Sequence, residues 1–113
     1  MKLSHRMEYN ICIVTLEGRF AMEGAHEVRR YVASFLEDRN IQGMVLNFSQ
    51  VDFVSSEGIN VTAFIYNSLK DRQARLALCG INDNNAEFFQ MTGIDKVIEI
   101  YKAEADALHA VSV

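Results

Sequence analysis

Two adjacent hydroxyls, Ser55 and Ser56, followed by Glu57 and Gly58, stand where an apolar run ending at Phe53-Val54 gives way to a helical pattern. A serine at a helix start accepts a hydrogen bond from an unpaired backbone N–H, and an acid in the first turn suits the positive end of the helix dipole. Capping by itself accounts for this pattern. The same place also tolerates an anion. A phosphoryl group would add about −1.5 to −2 charges, and free N–H groups at the helix start can accommodate it without unfolding the domain. The informative segment is therefore Asn47 to Asn60, read as a buried strand, a turn and the beginning of a helix, with a modifiable hydroxyl as its chemistry.

Other chemistries find less support. His5, His26 and His109 are scattered, with no carboxylate or nucleophile at a spacing that implies shared work. Gly18 and Gly24 lack the pattern of a phosphate-binding loop. Cys12 and Cys79 each lie inside an apolar run, outside any Cys-x-x-Cys or Cys/His grouping, and read as buried free thiols in a reducing compartment. Arg29-Arg30 is the one adjacent basic pair and reads as two solvated helix positions.

The elements that must position the serines follow from hydrophobic periodicity. Runs near Leu3 to Tyr9 and Ile11 to Glu17 read as a β-hairpin around Tyr9-Asn10, with Gly18 closing the second strand. Val28, Val32, Phe35 and Leu36 fall at helical spacing within Ala25 to Glu37. Met44-Val45-Leu46 reads as a strand buried on both faces, with a polar turn at Ser49-Gln50. Ser55 to Asp71 is a second helix and Ala74 to Cys79 a further strand, which makes a strand-helix-strand unit. With both strands parallel, its right-handed crossover puts the start of the helix at their carboxyl edge. A short helix from Asn84 to Thr92 stopped by Gly93, a strand from Val97 to Tyr101 and a helix from Glu104 to Ala110 complete an α/β pattern. In the second helix Ile59, Val61, Ala63, Phe64, Ile65, Tyr66 and Leu69 cover more than one sheet-facing stripe. Either a neighbouring helix covers the remainder, or a partner docks there.

The 113 residues, half of them hydrophobic and 23% charged, suit one domain from end to end, 1–113. A chain of this size buries enough surface to fold without disulfide or metal. A net charge of −4 argues against nucleic acid as a direct partner, because such binding relies on Lys and Arg neutralising phosphates. Met1 to Asn10 alternates polar and apolar residues, unlike a secretory signal, and no run reaches the length of a membrane span, so the cytoplasm is the expected location.

At Ser55-Ser56-Glu57-Gly58-Ile59 the chain resembles the STAS-domain anti-sigma-factor antagonists, whose strand-to-helix turn usually reads Asp-Ser-Ser/Thr-Gly-Leu-Gly. Ile11 to Gly18, the helix before Ile41, Met44 to Asn47 and Phe88-Phe89-Gln90-Met91-Thr92-Gly93-Ile94 are similar to their counterparts in the same order, so nearly the whole chain is covered. The resemblance implies a single STAS-like α/β domain, a mixed sheet of about four or five strands with helices mainly on one face. It implies a binding protein of a partner-switching pathway and not an enzyme, without a cofactor of its own. Ser56 matches the family's switch serine, with Ser55 as a competing acceptor, and Ser55, Ser56, Glu57, Gly58, Ile59 and Asn60 form the expected partner-binding segment. The implied partners are a GHKL-type serine kinase that doubles as the anti-sigma factor and consumes ATP, and a PP2C-like phosphatase that reverses the modification. The implied output is a sigma factor or another regulator, such as one governing biofilm, polysaccharide or stress responses. The chain departs from the family turn at Ser55 for Asp, Glu57 for the second hydroxyl and Asn60 for the second Gly, and has Ala21 where an Asp is frequent after the hairpin. These lost carboxylates leave a second reading, a constitutive scaffold or transporter-associated STAS module without phosphorylation. A third, nucleotide or lipid binding at the sheet edge, has no phosphate loop behind it.

Overall fold

A computed structural model describes residues 1–112. Its elements run β1 (Lys2–Glu8), β2 (Ile11–Phe20), α1 (Glu23–Glu37), β3 (Gly43–Val54), α2 (Ser56–Lys70), β4 (Arg75–Cys79), α3 (Asp83–Thr92), a short 3-10 turn (Ile94–Lys96), β5 (Glu99–Tyr101) and α4 (Glu104–Val111). The five strands form one sheet in sequence order. β1 and β2 pair antiparallel, as a hairpin requires, and every later pairing is parallel, so the chain crosses over through a helix each time.

Strand alternation sorts the core into two clusters. Cys12, Val14 and Leu16 of β2, Met44, Leu46 and Phe48 of β3, and Leu76 and Leu78 of β4 point to the face covered by α1, α2 and α3. Their neighbours Ile11, Ile13, Val45, Ala77 and Cys79 point the other way, under Ala107 and Val111 of α4. The mixed sheet with helices mainly on one face is thus the observed arrangement. The face under three helices holds the larger aromatics. Phe48 stands 5.7 Å from both Phe20 and Phe89, so one ring ties the end of β2, the middle of β3 and α3 together. Such ring pairs add about 0.5–1.5 kcal/mol to what burial contributes.

Two local expectations fail, and for one connected reason. Gly18 does not close β2, and Ser49-Gln50 is not a turn. β2 runs on to Phe20 and β3 to Val54, with register irregularities between Thr15 and Glu17 and between Gly18 and Arg19. At these points β3 carries an extra residue against β2, so its side-chain alternation slips and the polar pair looks like a turn. Gly18 absorbs the distortion with φ +112, a conformation open to glycine and strained for other residues. The extended pair carries Phe20 and Val54 side by side to the carboxyl edge of the sheet. Elsewhere the expected elements appear with boundaries within about two residues.

α2 is covered on more than one side. It lies on the sheet and against α1, and Ile59, Val61, Ile65 and Leu69 are buried while Phe64 receives the Arg29 guanidinium at 3.8 Å from its ring centre. Its excess apolar surface is therefore filled by the neighbouring helix, and the middle of α2 is no free docking face. Among the described residues no helix is long and apolar enough to cross a membrane.

Candidate functional site

Three hydrogen bonds of the backbone at Val54 and Ser55 hold the start of α2. Ser55 N–H donates to Phe20 O at 3.1 Å, Val54 N–H donates to Asn85 Oδ1 at 3.1 Å, and Ser55 O accepts the first helical bond from Ile59 N–H at 3.0 Å. Gly58 lets α2 approach β2. A Cβ there would lie 2.4 Å from Phe20 O and 3.0 Å from Val54 Cγ1. Behind it, buried Thr62 returns its hydroxyl to Gly58 O at 2.9 Å.

Within this frame the two serines differ in what holds their hydroxyls. Ser55 is the N-cap, with φ −99 and ψ 179, and its Oγ accepts from Gly58 N–H at 3.4 Å. The same hydroxyl donates to Glu57 Oε1 at 2.6 Å. That bond, with help from the backbone N–H groups of Glu57 itself and Met22 and from nearby His26, holds the Glu57 carboxyl below the usual range. Ser56 is the first residue of the helix, not its cap. It is exposed, and its hydroxyl has no hydrogen-bond partner among the described residues. As a first-turn residue its N–H also has no acceptor within the helix.

The expected six-residue segment divides by exposure. Ser56, Glu57 and Asn60 face solvent and Ser55 is half-buried, whereas Gly58 and Ile59 are buried and serve the packing of α2. On the far side of the serines a groove of about 640 Å³ opens between the end of β3 and α3. Ser55 and Ser56 line it together with Asp52, Phe53, Val54, Asn84, Asn85 and Phe88. Periodicity does not point to these residues, because they come from the far end of the bulged β3 and from a helix outside the strand-helix-strand unit. The polar run Asn82-Asp83-Asn84-Asn85 was the available signal. Asn82 caps α3 by accepting from Asn85 N–H at 2.9 Å, and its own amide reaches Val51 O at 3.4 Å. The start of α3 thus clamps the strand that leads into the serines.

Apart from His26, which lies near Glu57, the other candidate groups lie away from this place. His5 Nδ1 meets Tyr31 Oη at 2.7 Å, in contact with the ring of Phe35, on the face of β1 toward α1. His109 is exposed on α4. Cys12 and Cys79 are free and buried, and burial raises each thiol to about 11. Among the described residues no group of three or more His, Cys, Asp and Glu side chains is arranged to hold a metal ion.

Comparison with known proteins agrees with the fold. The chain is 26% identical over 110 residues to an anti-sigma F factor antagonist of Paenibacillus polymyxa, covering 96% of this chain and 94% of that one. The crystal structure of an anti-sigma factor antagonist from Mycobacterium paratuberculosis superposes with a TM-score of 0.90 at 21% identity, over 99% of this chain and 94% of the other. SpoIIAA, the Bacillus cell fate determinant, superposes in its phosphorylated form with a TM-score of 0.77 at 16% identity, over 97% of this chain and 99% of that one. The STAS domain profile matches residues 3–107, nearly the whole of the two-faced sheet and its helices, and the chain belongs to the STAS domain family.

Proposed function

We propose that the protein is an anti-sigma-factor-antagonist-like regulator that binds a serine-kinase anti-sigma factor while Ser56 is unmodified and releases it when Ser56 is phosphorylated. One observation carries the choice of residue. The Ser56 hydroxyl is exposed and has no hydrogen-bond partner among the described residues, whereas the Ser55 hydroxyl is committed to Glu57 and to the helix cap. A kinase can reach Ser56 without dismantling the turn. The similarity to anti-sigma factor antagonists supports an anti-sigma factor as the partner class.

The switch needs no change of fold. A phosphate at Ser56 would stand beside the ionised Glu57, and bringing such a dianion into a close interface carries desolvation and like-charge costs of several kcal/mol. Each 1.4 kcal/mol changes affinity tenfold. A PP2C-like phosphatase would restore the binding form, and ATP would be consumed by the kinase. The regulated output belongs to transcription or to a biofilm or stress response.

The departures Ser55 for Asp and Glu57 for a hydroxyl favour a second reading, a constitutive STAS scaffold or transporter-associated module, because Glu57 already supplies a permanent negative charge at the site. Incubation with a GHKL-type serine kinase and ATP, followed by mass spectrometry, separates the two. Phosphate on Ser56 that disappears in Ser56→Ala is expected. Equal phosphorylation of wild type and Ser56→Ala moves the site elsewhere, and no phosphorylation favours the constitutive module. Ser56→Asp is expected to bind the kinase at least tenfold more weakly than wild type, with little change in Tm.

A further inference from the structure

The amino edge of the parallel strands, opposite the serines, holds a second cavity of about 460 Å³. It opens between the β1–β2 turn, the α1–β3 connection and the ends of α2 and α4. Arg39, Arg72 and Arg75 line it, with no Asp or Glu side chain among the described lining residues. The three guanidiniums differ in what balances them. Arg75 is paired with Glu99 at 2.8 Å. Arg72 is half-buried, its Nη2 donates to Ile41 O at 2.7 Å, and its Nε is buried with no hydrogen-bond partner among the described residues. Arg39 is exposed, and neither it nor Arg72 forms an ion pair among the described residues. The acids next to them in sequence do not balance them. Neither Asp38 nor Asp71 lines the cavity, and Asp38 accepts from Asn40 N–H at 2.9 Å.

A guanidinium stays charged in a protein, and a part-buried charge without a counter-ion is costly, as is a buried donor without an acceptor. The carboxyl ends of α2 and α4 border the cavity, but each helix end supplies only about half a negative charge. Together they fall short of the two charges on Arg39 and Arg72. The cavity is thus a positive place in a chain whose net charge is −4. From this we infer that it binds a phosphate group, free or at the end of a small phosphomonoester, held by Arg39 and Arg72. A dianion matches two cations, and each guanidinium fork presents paired N–H donors to its oxygens. Gln42 adds a third donor. Its Oε1 accepts from Asn10 Nδ2 at 2.7 Å, which orients the amide at the rim and leaves its own Nε2 to donate. Arg39 belongs to the α1–β3 connection and Arg72 follows α2, so a shared anion ties two separate segments together and adds to stability. The site lies at the far edge of the sheet from Ser56 and stands whether or not that serine is modified.

The test titrates the full chain with inorganic phosphate and, separately, with glycerol 3-phosphate at constant ionic strength, read by heteronuclear NMR and by Tm. Saturable shifts are expected in the Nε–H signals of Arg39 and Arg72 and in the backbone amides of Gln42 and Gln73, with a Tm that climbs as ligand is added. Arg72→Lys keeps the charge and loses the fork, and Arg39→Gln removes an exposed charge that has no partner in the fold. Each is expected to weaken the Kd about tenfold, the loss of one charge-assisted hydrogen bond. Arg30→Gln, which removes an exposed arginine paired with Glu23 at 3.3 Å on α1, is expected to leave the Kd unchanged. Should Arg72→Lys fail to fold, Arg39→Gln decides. Saturation by either phosphate compound supports the site, and the tighter of the two tells the free anion from the ester. Shifts that stay linear with concentration, that chloride at equal ionic strength reproduces, or that Arg30→Gln weakens as much as Arg39→Gln mean an adventitious ion only and overturn the site. Succinate, a dicarboxylate of similar charge, binding more tightly than both phosphates overturns the ligand class.

Discussion

At the scale of single residues, the informative result is that two neighbouring serines of identical chemistry acquire different tasks from one residue of offset. Ser55 precedes the helix with extended backbone, so its Oγ points back at the first-turn N–H groups, and Glu57 fixes the hydroxyl further. Ser56 already has helical backbone and points away. Replacing an N-cap serine by alanine costs about 1 kcal/mol, whereas an exposed substitution without partners stays within about 0.5 kcal/mol. Urea denaturation is therefore expected to show Ser55→Ala destabilised by about 1 kcal/mol and Ser56→Ala near wild type. Equal losses at the two positions would contradict this division. Stability at Ser55 is thus separable from the proposed modification at Ser56.

At the scale of elements, α4 shows how a short helix is kept on the sheet. Its eight residues bury only Ala107 and Val111, but its first residue, Glu104, accepts from Arg6 Nη2 at 2.5 Å and from Asn47 Nδ2 at 2.7 Å. The helix is thereby tied to β1 and β3 across the small core. The Arg6 hydrogen bond, with that of Asn47, holds the Glu104 carboxyl below its usual range. Because the folded-state value is lowered, the stabilisation is fully present above the ordinary glutamate value of about 4.3 and is lost as pH falls through the lower folded value. The Tm difference between wild type and Glu104→Gln is expected to be largest near neutral pH and to narrow below about pH 4. A difference constant with pH would assign α4 docking to its apolar contacts alone.

At the scale of the whole molecule, the sheet separates two cores that sequence position alone does not distinguish. Cys12 belongs to the core under α1, α2 and α3, and Cys79 to the core under α4. No relaxation short of unfolding brings the two thiols together. Burial raises both to about 11, so the reactive thiolate is scarce at neutral pH as well as shielded. An aromatic disulfide reagent at about pH 8 is expected to leave both thiols unmodified in the native protein and to react with both in denaturing urea. Rapid native labelling of either one would show that its core opens locally.

The sequence by itself determined the α/β class, the order of the elements, the hairpin, the amphipathic α1, the doubly buried strand at Met44-Val45-Leu46 and the hydroxyl-bearing start of α2. These follow from periodicity and from chemistry read over a few residues, which local sequence carries. Tertiary structure decided the rest. The irregular pairing of β2 with β3 turned an apparent loop at Ser49-Gln50 into strand, because a partner strand can satisfy backbone groups where the side-chain alternation breaks. The packing of α1 decided that the broad apolar surface of α2 is core. At Ser55-Ser56 the residue types offered a cap and a free hydroxyl but not their order. That order depends on where helical backbone begins, and the hydrogen bond from Ser55 N–H to Phe20 O and the fit of Gly58 against β2 set it from 35 or more residues away in the chain.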